Sequence, residues 1–169
     1  QTRHYGHVNA QALCDRTPVA VGLIGPVINL MNDAELGAVI GHELGHIVAH
    51  RAGSVGVHVG AAHRIRPRAP LVAARCSVAA ELTADRFALL AAQDIDAAVG
   101  VEIASATGLD PRALESDLGA ALAACVERVA RGEGEIAGDT HPSADFRLFA
   151  SWLFWRSDVF RELTGKGTG

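Results

Sequence analysis

Residues 33–50 read Asp-Ala-Glu-Leu-Gly-Ala-Val-Ile-Gly-His-Glu-Leu-Gly-His-Ile-Val-Ala-His. Leu36, Val39, Ile40, Leu44, Ile47 and Val48 recur at three- and four-residue spacing, which predicts a helix of about five turns ending at His50 or Arg51. Asn32, with Glu35 three positions on, has the form of a capping box, and Asp33 adds negative charge where a helix N-terminus favours it. Gly53 is the expected stop.

Within this helix, His42-Glu43-Leu44-Gly45-His46 is an H-E-x-x-H. Side chains four apart lie one above the other, so His42 and His46 can direct their rings at one ion, as tetrahedral zinc requires at about 2.0–2.1 Å. Glu43 sits close enough to reach a zinc-bound water without being a ligand. Zinc lowers the pKa of such a water from about 15.7 to about 7, and Glu43 could take its proton and later pass it to the leaving amine. Histidine and glutamate also decorate many exposed helices. Here they interrupt an apolar run with Ile40, Leu44 and Ile47, where unpaired polar groups are costly to bury.

A third ligand must come from elsewhere. His50 continues the spacing, but four more residues rotate it about 40° and raise it about 6 Å, out of reach of the same ion. It reads better as a helix-end residue. A metzincin pattern would need Gly and His where Ala49 and Ala52 stand, and is excluded. Glu81 and Asp85, in Glu-Leu-Thr-Ala-Asp, lie four apart within an apolar run of a second predicted helix, about Leu71 to Ala92. Carboxylates in such a run are paired or bound to metal. Glu81 would complete a His₂Glu set with an open fourth position. Asp85 could accept the Nδ1–H of a ligand histidine, His42 being the expected one, and so fix its tautomer. The plainer reading of Asp85 is a surface pair with neighbours such as Arg86.

Outward from these helices the pattern is simpler. The first sixteen residues look polar and irregular, and Pro18–Leu23 reads as a strand ended by Gly22, Gly25 and Pro26. Residues 53–70 read as a loop in which His58 and His63, with Arg64, Arg66 and Arg68, form a solvated rim without a ligand role. A third helix is expected over Asp94–Thr107, closed by Gly108. A fourth is capped by Asp110, with Pro111 at its first position and Gly132 past its end. A Gly-rich connector covers 133–139, Ser143 opens a further helix, and Ser157 caps a last short one. The expected organisation is a single domain over 1–164 with a disordered tail at 165–169.

Three blocks in order, 33–50, Glu-Leu-Thr-Ala-Asp-Arg-Phe-Ala at 81–88, and Thr-His-Pro at 140–142 followed by Arg147, resemble the HtpX-like and CAAX-prenyl-protease-like zinc metallopeptidases. The resemblance implies a predominantly helical α+β chain with a zincin-like fold of gluzincin type, a small β-sheet packed on the active-site helix, and endopeptidase activity with Zn²⁺ as cofactor. It also implies that His141 approaches the metal, either stabilising the transition state or filling the fourth site in a latent form. Without the resemblance, His141 is a loop histidine ahead of a helix. In gluzincins the strand before the active-site helix binds substrate backbone, which assigns that role to Pro18–Leu23. Several relatives carry transmembrane segments before the first block or between the two helices, where this chain has only 53–70.

Composition agrees with an ordinary globular domain. The chain has 169 residues, 49% of them hydrophobic, and a net charge of −4, which argues against a nucleic-acid partner. Cys14, Cys76 and Cys125 form no C-x-x-C pair and no disulfide framework, so three small thiols in a reducing compartment are expected. The longest apolar stretch, Val19–Ile28, falls far short of the ~20 residues of a spanning helix. The chain begins with Gln1, so membrane attachment is expected only through segments outside it. The expected location is cytoplasmic, or the cytoplasmic side of a membrane if the chain is a fragment. The expected partner is a protein or peptide substrate. The competing expectation is a latent or inactive pseudo-peptidase that keeps zinc for stability and acts as a binding module.

Overall fold

A computed structural model describes residues 9–14, 16–52, 70–107, 118–133 and 142–165. Its order is β1 (Asn9–Leu13), β2 (Ala20–Ile24), α1 (Val27–Leu30), α2 (Asp33–Ala52), α3 (Pro70–Ala92), α4 (Ile95–Thr107), α5 (Leu118–Ala130), α6 (Ala144–Trp155) and α7 (Asp158–Thr164). The chain is predominantly helical α+β, as expected. The loop 53–69, Gly108, the Asp110–Pro111 start of the fourth helix, most of the connector and residues 166–169 lie outside the described residues.

The helix termini follow the sequence signals. The Asn32 backbone N–H donates to Glu35 Oε2 and the Glu35 N–H donates to Asn32 Oδ1, each at 2.9 Å, the reciprocal pair of a capping box. Asp94 accepts from the N–H groups of Asp96 and Ala97. Ser143 accepts from the Phe146 N–H and Ser157 from the Phe160 N–H, so both serines cap as their sequence positions imply. Gly165, assigned to the tail by sequence, instead ends α7 in the left-handed region at φ 68°.

The N-terminal stretch departs from expectation. Residues 9–13 form a strand antiparallel to β2, with Ala12 opposite Val21 and Leu13 opposite Ala20. Asn-Ala-Gln-Ala-Leu lacks β-branched residues, so local propensity does not announce it. Pairing with β2 and packing against α2 supply the stabilisation that composition does not.

The most extensive packing joins α2 to α3. Their seam is lined with small residues: Gly41 on α2 meets Ala88 on α3 and Gly45 meets Ala84, both alanines buried. A Cβ placed on Gly41 would lie 2.6 Å from the Phe87 carbonyl oxygen, and one on Gly45 would lie 2.6 Å from Ala84 Cα. Only glycine allows this approach. Leu44 and Val48, part of the apolar periodicity, point outward instead and remain exposed. A second core of Val99, Cys125 and Leu148 ties α4, α5 and α6 together, with Ile95, Ile103 and Leu122 packed around it. Phe160 of α7 is buried beneath the rings of Phe154 and Trp155. Cys14 and Cys76 are half-buried and Cys125 is buried. Among the described residues no helix is long and apolar enough to cross a membrane.

Candidate metal centre

The close α2–α3 seam brings His42 and His46, on the first helix, against Glu81, on the second. Their Nε2 atoms lie 3.1 Å apart. Glu81 Oε2 is 3.6 Å from His42 Nε2, and Glu81 Oε1 is 3.7 Å from His46 Nε2. These three residues form a group that could hold a metal ion. Ligands about 2.0–2.1 Å from a tetrahedral ion are separated from one another by roughly 3.3 Å, so the observed spacings fit such an ion with small adjustments.

The surroundings of the two rings differ. His42 Nδ1 lies 3.1 Å from Asp85 Oδ1, which places the ring proton on Nδ1 and leaves the Nε2 lone pair facing His46 and Glu81. Burial lowers the His42 pKa, but the hydrogen bond and charge of Asp85 outweigh it and the net shift is upward. Burial, reinforced by His42, pushes His46 down to about 4, so it is neutral and free to donate electrons at neutral pH.

Asp85 is not a surface residue paired with Arg86. Arg86 is exposed, its guanidinium 5.6 Å from the Phe154 ring centroid. The partner of Asp85 is Arg147 of α6, which donates from Nε to Oδ2 at 2.9 Å and from Nη2 to Oδ1 at 2.5 Å. Burial would raise the Asp85 pKa, but Arg147 and His42 hold it below the usual carboxylate range. The same guanidinium reaches Glu81 Oε2 at 3.8 Å and Glu102 Oε1 of α4 at 2.9 Å. Burial, with the charges of Asp85 and Glu81 adding to it, raises the Glu102 pKa to about 7 against the opposing pull of Arg147.

The sequence motifs assign no role to Arg147 or Glu102. The signal was present: Glu102 is the one acid in Val99-Gly-Val-Glu-Ile-Ala, and Arg147 the one cation in Phe146-Arg-Leu-Phe-Ala. Each is, like Glu81, a charge within an apolar helical run.

Glu43 is buried beside His42, and its carboxylate accepts from the Ala12 N–H of β1. Burial raises its pKa, opposed by His42 and by the Ala12 hydrogen bond. Residues 9–13 line the cleft in front of the histidines, so the strand bordering it is β1 rather than the expected Pro18–Leu23, of which only residues 20–23 are strand, paired with β1 as part of β2. The side chains of His50, His58, His63 and His141 lie outside the described residues. Pro142, next to His141, is buried and lines the same cleft.

Among the described residues, the three carboxylates of Glu81, Asp85 and Glu102 share the Arg147 guanidinium. Such an excess of carboxylate in a buried site calls for a cation. A divalent ion among His42, His46 and Glu81 would supply it.

Residues 2–60 match the family model for peptidase family M48. The match covers β1, β2, α1, α2 and the H-E-x-x-H, and ends before Glu81. No curated protein and no solved structure gives a significant match.

Proposed function

We propose that the chain, whose residues 2–60 match the model for peptidase family M48, is a zinc-dependent metalloendopeptidase cleaving peptide bonds in extended segments of protein or peptide substrates. The observation that carries this reading is the meeting of His42 and His46 with Glu81, from two helices distant in sequence, beside a buried glutamate that no ligand role requires.

His42, His46 and Glu81 would hold the zinc, which would polarise the scissile carbonyl and acidify a water. Glu43 would take a proton from the attacking water and deliver it to the departing amine, so that the peptide bond breaks without releasing an amide anion. Burial suits it to this work by raising its affinity for the proton. Asp85 keeps the His42 proton on Nδ1 and thereby keeps Nε2 available. His141 would donate a hydrogen bond to the developing oxyanion, a contribution commonly worth about 3–4 kcal/mol.

Substrate would run along β1, adding as a further strand on the edge away from β2. This edge is where the Ala12 N–H meets Glu43, so backbone recognition and proton transfer share one corner of the cleft.

A latent binding module is the second reading, in which His141 occupies the fourth position and the surface does the work. Glu43 favours the enzyme, because a scaffold gains nothing from a buried general base. Digestion of casein or a peptide library, with and without a chelator, separates the two. Chelator-sensitive cleavage by the wild type or by His141→Ala supports the peptidase. Its absence from both supports the module.

A further inference from the structure

Glu102 is the acid of this site that neither metal binding nor proton transfer uses. It lies on α4, remote in sequence from every metal-ligand candidate, and its carboxylate meets Arg147 Nη1 at 2.9 Å. Arg147 divides its donors among three acids on two helices: Nη1 to Glu102, Nε and Nη2 to Asp85, and Nη2 towards Glu81 at 3.8 Å. A guanidinium is a planar fork, so fixing one nitrogen fixes the direction of the others. Anchored by Glu102, the fork spans Asp85, which orients His42, and Glu81, which faces both histidines.

Helix α4 is otherwise apolar around this position, with Val99 buried and Ile103 packed on the α4–α6 core. A carboxylate there opposes stability, since burial raises its proton affinity and two further carboxylates stand nearby. An aliphatic residue would pack at lower cost, and Arg147 would still have Asp85. The surplus acid is accounted for by orientation.

Resting on the metallopeptidase reading above, we propose that Glu102 is a positioning residue of the metal centre, acting through Arg147 to set the direction of the Glu81 and Asp85 carboxylates and so the affinity and geometry of the zinc site. Outer partners of metal ligands commonly change affinity about 10–100-fold when removed.

The test uses the full chain as wild type, Glu102→Ala, Glu102→Gln and Arg147→Met, with Glu102→Ala also placed on Arg147→Met. Zinc affinity is read by competition with a chromophoric chelator, and ligand geometry by the visible spectrum of the cobalt-loaded protein. Glu102→Ala is expected to weaken zinc about 10–100-fold and to shift the cobalt bands. Glu102→Gln, which fills the same space and still accepts from Arg147, is expected to weaken zinc less, by at least threefold. On Arg147→Met, losing Glu102 should add no more than about twofold, because the residue through which it acts is gone.

An unchanged affinity and spectrum in Glu102→Ala overturns the proposal. So does a Glu102→Ala loss of the same size in both backgrounds, which would make the effect one of charge alone. Should the alanine or methionine variants not fold, Glu102→Gln decides, with wild-type affinity and spectrum overturning the role. A wild type that takes up no zinc overturns the metallopeptidase reading itself, an outcome distinct from all of these.

Discussion

Gly45 of α2 faces Ala84 of α3 so closely that a Cβ on the glycine would stand 2.6 Å from the Ala84 Cα. The obstacle is backbone, not a flexible side-chain end, so the helices themselves must separate. The residues that could hold a metal ion sit on either side of this seam, His46 beside Gly45 and Glu81 one turn before Ala84. Gly45→Ala is therefore expected to destabilise the fold by about 1–3 kcal/mol despite the better helix propensity of alanine. It should also weaken zinc binding. Urea unfolding and chelator competition check the two effects, and an alanine variant as stable and as zinc-avid as wild type would refute the close packing.

Glu43→Gln preserves volume and removes the proton acceptor. Zinc content should stay at the wild-type level while turnover falls about 10²–10⁴-fold, the range usual for losing a general base. Peptide hydrolysis measured alongside metal content checks this. Activity near wild type would remove Glu43 from the mechanism.

Asp85→Asn is expected to weaken zinc about 10–100-fold. The amide cannot supply the charge that both His42 and Arg147 use, and it can present an N–H where His42 Nδ1 now has an acceptor at 3.1 Å. Titration of the metal-free protein with zinc gives the affinity.

The burial of Glu102 has a signature in the metal-free protein. Its folded pKa is about 7, above the unfolded carboxyl value, so between the two the native chain holds a proton that the unfolded chain has released. Stability therefore falls as pH rises through that window, by on the order of 3 kcal/mol over its full width. His46, pushed down to about 4, acts oppositely: the unfolded chain binds the extra proton and stability rises with pH up to the ordinary histidine range. Comparing Glu102→Gln with wild type cancels the His46 contribution. Between pH 5 and 8, in chelator, the stability difference should move in favour of the glutamine variant, as read by urea unfolding. A difference independent of pH would contradict the assignment.

Much of the site was legible in sequence because its logic is local. H-E-x-x-H fixes the two histidines by helical spacing alone, and Asn32 with Glu35 announces where that helix begins. Glu81 and Asp85 were readable as charges in an apolar run, though only tertiary packing brings them to the histidines. β1 was not readable, since Asn9–Leu13 carries no strand propensity and depends on β2 and α2 for its form. The same limit moved the cleft-bordering strand from Pro18–Leu23 to β1, because which strand stands nearer the helix is a matter of packing order. The Glu102–Arg147 pair joins residues 45 positions apart on helices whose pairing no periodicity encodes.

Metal analysis of the purified full chain tests most directly whether one zinc ion is held between α2 and α3. Wild type should carry close to one zinc per chain after dialysis against metal-free buffer, and Glu81→Ala should carry little or none under the same treatment. A folded wild type without zinc that takes none up on titration, or a Glu81→Ala variant that retains a full equivalent, would contradict the account.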